Sequence, residues 1–411
     1  MFKQKRITGI ITLSILLAIS ITMPAGCSVS NKTTSEQTSD ANESGTTTAT
    51  ISETEGTTTA AISETEETTP EKTLDERLAF LDDSDFHGTV LIAKDGEIVF
   101  EKSYKYSNIE SQALNTNDTV YEIGSVTKQF TAVGLMMLVE DGKINLDDTL
   151  DKYIPEYSHA GEVTIRQLLN MTSGIVDYSN DGVFMMEYEK FTMKQIFEDK
   201  ELTESVLKLF DQKFNFATVL SLVDTYDLEF EPGSSWDYSN TGYCFISEVI
   251  ARVSGMSFED YMMKNVLSPA GLETASFEPD QNTSTGYLAV AGQWIEMPDI
   301  EATGDGGLRM TADDLYTWTQ VIANQELLSE ESWNEILDGG KSGYGFGLEI
   351  AEDHWGHNGG TWGFASMEYV YKQPNVVIIA ITNKKSESVL EAMNRFINYT
   401  LYHFDLPLLL R

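Results

Sequence analysis

Strand signals stand at the two ends of one long stretch, and helix signals fill its middle. Gly88-Thr89-Val90-Leu91-Ile92-Ala93-Lys94 and Glu97-Ile98-Val99-Phe100-Glu101 flank Asp95-Gly96, a pair that two-residue hairpin turns favour because the turn demands positive φ. Far downstream, Gly345 to Ile350, Phe364 to Tyr371 and Val376 to Thr382 read as strands again, with Pro374-Asn375 as a turn. A short helix over Leu74–Leu81 precedes the first pair, and between the two sets lie a Thr164-capped helix to Met171 ended by Ser173-Gly174, an apolar helix over Tyr243–Val253 ended by Ser254-Gly255, and one capped by Thr311. An amphipathic helix over Glu387–Tyr402 closes the chain, and residues 181–230 carry helical patterns without chemistry that can be named. Such a chain buries its strands most simply by pairing its termini. The expected fold of residues 74–411 is α/β (α+β): an antiparallel sheet of N- and C-terminal strands flanked by helices, with an inserted, mostly helical lobe.

Nothing before residue 74 can build a core. Lys3, Lys5 and Arg6 precede an apolar run from Ile7 to Met23, and Ala25-Gly26 precede Cys27. Residues 1–26 therefore read as an export signal. Small residues before cysteine resemble a bacterial lipoprotein signal, in which Cys27 is lipidated and becomes the mature N-terminus; Pro24 stands where a Leu-like residue is usual. An uncleaved membrane helix is the alternative, and the run is short of the ~20 residues a span needs. Residues 27–73 form a Ser/Thr/Glu-rich linker containing an eleven-residue tandem duplication from Gly45 and Gly56. With almost no large apolar residue it stays disordered, with a reach of about 40 Å. The expectation is an extracytoplasmic, lipid-anchored domain held off the bacterial cell surface. A formal net charge of −38 excludes nucleic acid as a partner. The two cysteines are Cys27 and Cys244; lipid on the first leaves no intrachain disulfide, and Cys244, in an apolar run, reads as a buried small hydrophobe. A monomer is expected.

Chemistry enters at Tyr121-Glu122-Ile123-Gly124-Ser125-Val126-Thr127-Lys128. The apolar run that follows, to Val139, reads as a buried helix stopped by Asp141-Gly142. Ser125 falls at its N-terminus, with Lys128 one turn on and on the same face. There an amine can take the hydroxyl proton, and the helix terminus favours developing negative charge. Ser205-Val206-Leu207-Lys208 has the same spacing, so the pattern alone does not decide. Acyl transfer by serine also needs a proton relay and oxyanion donors. Tyr-Ser-Asn occurs at Tyr106, Tyr178 and Tyr238, and His-x-Gly at His159, His354 and His357. Of the tyrosines only Tyr238 lies on a tight turn, Pro232-Gly233 to Ser239, feeding a buried helix. Of the histidines, His357-Asn358-Gly359-Gly360 stands out because glycine lets a strand edge approach a ligand. No H-E-x-x-H spacing occurs, and neither metal nor cofactor is expected.

Ser125-Val126-Thr127-Lys128, Tyr238-Ser239-Asn240 and His357-Asn358-Gly359 occur in the order and approximate spacing of the class C β-lactamase-like serine hydrolases, which the chain resembles over roughly residues 74–411. Leu168 to Ile175, Pro232-Gly233 with Trp236, Gly306-Gly307-Leu308 and Ile379 to Asn383 add to the likeness. The resemblance implies a β-lactamase/transpeptidase-like fold with its site between sheet and helical lobe. It implies Ser125 as acylated nucleophile, Lys128 as base and Tyr238 as proton relay. Asn240, His357, Gly359 and Gly360 would bind substrate, with the N–H groups of Ser125 and Gly360 as oxyanion hole. His357 stands where many relatives have lysine. A largely neutral imidazole attracts a substrate carboxylate less than a fixed cation does, which lowers the expectation of efficient β-lactamase action; Arg309 is a candidate for the missing cation. The expected substrates are D-alanyl peptides, with esters, or β-lactams in a slow-deacylating sensor, as alternatives.

Overall fold

The computed structural model describes residues 72–180, 205, 208, 214–290, 293–299 and 301–407. The export signal, the linker, Cys27 and most of 181–213 lie outside the described residues.

The expected hairpin forms between β1 (Gly88–Lys94) and β2 (Glu97–Tyr104). Asp95 and Gly96 turn at φ 53° and 88°, the left-handed pair a two-residue hairpin requires. The C-terminal strands are β3 (Glu349–Ile350), β4 (His354–Gly360), β5 (Ala365–Tyr371) and β6 (Val376–Thr382). All six join one antiparallel sheet in the order β2-β1-β6-β5-β4-β3. The termini meet at β1 and β6, in register from Gly88↔Thr382 to Lys94↔Val376.

Apolar residues alternate between two cores. Val377, Ile379 and Ile381 of β6 face the helical lobe together with Leu91, Ala93 and Val370. Val376, Ile378 and Ala380 face the other way, onto Leu78, Leu81 and the C-terminal helix through Val389, Met393, Phe396 and Ile397. Burial on both faces is why β6 reads as an unbroken apolar run. The helices that matter here are α1 (Thr127–Glu140), α2 (Ile165–Leu169), α3 (Phe216–Val223), α4 (Asn240–Ser254), α5 (Ala312–Ala323) and α6 (Glu387–His403). Thr164 and Thr311 cap α2 and α5 by accepting from Gln167 and Asp314 N–H groups. Helix α1 lies in the main core, its Phe130 ring stacked 4.0 Å from Trp318 of α5.

Two local expectations differ. The strand read over Gly345–Ile350 shrinks to Glu349–Ile350, because Gly345 N–H bonds Leu348 O in a turn. The helix read over Leu74–Leu81 breaks at Ala79, with a second short piece from Phe80 to Asp83.

Candidate active site

Ser125 lies in a single 3-10 turn, Gly124–Val126, that runs straight into α1. It is partly open to solvent, whereas Lys128, one turn later, is wholly buried. Lys128 Nζ lies 3.1 Å from Ser125 Oγ, 2.7 Å from Asn240 Oδ1 and 2.8 Å from the Asp305 carbonyl oxygen. The last two atoms can only accept, so each claims an N–H. The third direction points at the serine: an ammonium donates to Oγ, whereas a neutral amine aims its lone pair there. Burial pushes the Lys128 pKa down to about 8, against the opposing pull of Asp305 and Asp177. The neutral form is therefore populated near neutrality.

The second wall comes from the start of α4. Ser239 caps that helix by accepting from Gly242 N–H. The preceding turn is pinned by Gly233 N–H to Thr172 O at 2.8 Å and Asp237 N–H to Met171 O at 3.0 Å. Tyr238 is thereby held with its ring centroid 4.9 Å from Lys128 Nζ. Its hydroxyl is enclosed, and among the described residues no group stands in full hydrogen-bonding geometry to it. Burial raises its pKa well above 10, with Ser125 opposing the rise, so the phenol keeps its proton. Asn240 gives its oxygen to Lys128 and its NH2 to Asp177 at 2.9 Å and Ser179 at 3.0 Å.

The third wall is β4. Along β4, β3 covers only Trp355 and Gly356, and residues 359–360 lie against the Ser125 turn. A Cβ on Gly359 would stand 2.0 Å from Ile123 O and 2.4 Å from Ser366 Oγ; one on Gly124, at φ 54°, would stand 2.6 Å from Gly360 N. These two glycines let the backbones of Ser125 and Gly360 come side by side, where two N–H groups can serve one oxyanion. His357 is buried, and its pKa falls to about 3 through burial and the nearby Lys128. Its Nδ1 faces the Asn358 carbonyl, and its Nε2 lies 3.0 Å from Tyr344 Oη. A carbonyl only accepts, so Nδ1 carries the proton and Tyr344 donates to Nε2.

Arg309 does not supply the cation missing at His357. It is 1% exposed and bonds the Phe277 carbonyl, Asp299 at 2.9 Å and Glu122 at 3.5 Å. The other repeated motifs go elsewhere. Tyr178 donates to Asp305 at 3.0 Å, and Tyr106 lies in a two-residue-paired ribbon against Leu114. His159 pairs with Glu162 and His354 stacks on Tyr371. Lys208 is exposed, unlike Lys128. Cys244 is a free thiol buried in the core. Sequence reasoning missed Asp177, Asp305 and Tyr344. Only the Ser-Gly turn before Asp177 and the glycine turn holding Asp305 were visible, and neither reveals a partner distant in sequence.

The Beta-lactamase family matches residues 72–401. A penicillin-binding protein of Bacillus subtilis is 29% identical over 337 residues, covering 74% of this chain and 70% of its own. The D-aminopeptidase of Brucella canis is 25% identical over 334 residues, 75% of this chain and 58% of its own. Among solved structures, an octameric penicillin-binding protein homologue from Pyrococcus abyssi superposes with a TM-score of 0.65 at 23% identity, covering 80% of this chain and 76% of its own. The D-amino acid amidase of Ochrobactrum anthropi gives 0.64 at 21%, covering 80% and 99%. With the fold and the ordered motifs agreeing, the chain belongs to the Beta-lactamase family and is a serine hydrolase with penicillin-binding protein and D-aminopeptidase homologues.

Proposed function

We propose that the protein is an extracytoplasmic hydrolase that forms an acyl-enzyme on Ser125 and acts on D-alanyl peptides, as a D-alanyl-D-alanine carboxypeptidase does. The observation that carries this is the buried Lys128 amine, 3.1 Å from Ser125 Oγ with its other directions occupied. Neutral Lys128 takes the Ser125 proton as Oγ attacks the acyl carbon, and the new oxyanion accepts from Ser125 and Gly360 N–H groups. Tyr238 gives its proton to the leaving group as the C–N or C–O bond breaks, and Lys128 returns the serine proton to the phenolate. Water then attacks the ester by the same route in reverse, freeing Ser125. Relatives named penicillin-binding protein and D-aminopeptidase support an acyl substrate of D configuration. The signal, Cys27 and the acidic linker support a lipid-anchored place at the cell surface.

The test is intact mass of the purified protein over time with a penicillin, beside Ser125→Ala. A persistent adduct that needs Ser125 is expected, followed by D-alanine release from peptides. An adduct that survives Ser125→Ala refutes the nucleophile. Penicillin consumed without an adduct would mean fast deacylation and a true β-lactamase. One observation favours an ester substrate instead: His357 is neutral with both nitrogens engaged, so it offers a substrate carboxylate no charge. Ester turnover without D-alanine release would establish that second reading.

A further inference from the structure

Asp177 is 3% exposed and lies on the loop after the Ser173-Gly174 turn. That loop is laced to the start of α4: Thr241 Oγ donates to Val176 O at 2.8 Å, and Tyr178 N–H donates back to the same hydroxyl at 2.9 Å. Among the described residues, five N–H donors meet the carboxylate. Oδ1 accepts from the backbone of Ser179 at 2.7 Å and Asn180 at 2.9 Å. Oδ2 accepts from Asn240 N at 2.8 Å, Asn240 Nδ2 at 2.9 Å and Asn180 Nδ2 at 3.2 Å.

We propose that Asp177 is a positioning residue for Lys128: its carboxylate decides which end of the Asn240 amide faces the amine. The proposal rests on the reading of Lys128 as the base. The two ends of an amide are alike in size, and their hydrogen-bond partners alone set the orientation. Reversed, the Asn240 oxygen would meet the Asp177 carboxylate and its NH2 would meet Lys128. A neutral lysine would then turn its lone pair to that NH2 and away from Ser125. As built, Asn240 Oδ1 and the Asp305 carbonyl each hold one N–H of the amine, and the lone pair is left for the serine. Asp177 thus acts on Lys128 through Asn240, and on Ser125 through Asn240 and Lys128. Among the described residues, the groups facing Lys128 and Asp177 are the Asp305 carboxylate, the protonated phenols of Tyr178, Tyr238 and Tyr243, and neutral His357.

The experiment measures the rate of penicillin adduct formation against pH for wild type, Asp177→Asn, Asn240→Asp, the double variant and Lys128→Ala. Asp177→Asn is expected to slow acylation by about 100-fold, the scale of a misaimed general base, while non-covalent affinity stays within about threefold. Its rising limb moves to lower pH, because a negative charge that holds the lysine proton is gone. Asn240→Asp sets two carboxylates against each other. Adding Asp177→Asn restores a donor–acceptor pair, so the double variant reacts faster than Asn240→Asp alone, with its limb shifted to higher pH. A wild-type rate and limb in Asp177→Asn overturn the proposal, as does a loss that only tracks the folded fraction. Should Asp177→Asn fail to fold, absence of recovery in the double variant overturns it. A wild-type rate in Lys128→Ala sinks the base reading and this proposal together; loss in Lys128→Ala with none in Asp177→Asn sinks this proposal alone.

Discussion

Behind the site, Glu368 of β5 sits opposite His357 of β4 and is wholly buried. Trp318 Nε1 donates to Gln129 Oε1 at 2.8 Å, which turns Gln129 Nε2 onto Glu368 Oε2 at 2.7 Å. The other carboxyl oxygen has no partner among the described residues. Burial, with only Gln129 opposing it, raises the Glu368 pKa from 4.5 to about 8. The folded state therefore binds more protons than the unfolded state between these values, and stability falls as pH rises. The contribution is present below pH 4.5 and lost as pH passes through about 8. At 1.36 kcal/mol per pH unit the full span is about 5 kcal/mol. Glu368→Gln keeps the acceptor for Gln129, puts an NH2 where the acid proton was, and cannot titrate. Urea unfolding at pH 5 and pH 8 isolates the residue, because Glu122, Glu349 and Lys128 contribute equally to both proteins. The variant should gain several kcal/mol on wild type between the two pH values. Superimposable pH dependences would refute a neutral buried acid at this position.

Gly359→Ala should cut the acylation rate by about 100-fold or more, the cost of losing one oxyanion donor, because a Cβ 2.0 Å from Ile123 O must push Gly360 away from Ser125; stopped-flow with an activated ester reads this, and a rate within threefold of wild type contradicts the geometry. In wild type the rate should rise through a pKa near 8, where burial places Lys128, and show no limb from His357 near 6.5, since His357 stays neutral above about 3. Tyr344→Phe leaves His357 Nε2 buried without its donor and should cost about 1–3 kcal/mol of stability, measured by urea midpoint; no change would mean that the tautomer is fixed by Asn358 alone.

The hairpin, β6, the caps at Thr164 and Thr311 and the buried character of α1 were legible because each depends on neighbours in sequence. Asp95-Gly96 has one good turn geometry, and a threonine at a helix start has a local N–H to accept. Strand β4 was legible only as a strand edge at His357–Gly360 and not over its full length: three of its residues are glycine, which lowers strand propensity while permitting the close contact with Ile123. The Tyr-Ser-Asn and His-x-Gly repeats show the limit of local pattern. Local context singled out Tyr238 and His357, but burial does not, since Tyr178 and His354 are buried too; what separates the copies is what they meet, Lys128 beside Tyr238 and Tyr344 on His357.

By itself the sequence determined which residue types stand in which order: a serine one helical turn before a lysine, a tyrosine before a capped apolar helix, and strands at both ends that must find each other. Only the tertiary structure decided their protonation and aim. Lys128 has its pKa lowered because α1 lies inside the core. Asn240 faces it with oxygen because Asp177, 63 residues away, takes the nitrogen. His357 is neutral because burial and the nearby Lys128 hold it so, and Tyr344 meets its unprotonated nitrogen. Desolvation and hydrogen-bond polarity belong to groups brought together across the chain, and no local stretch contains them.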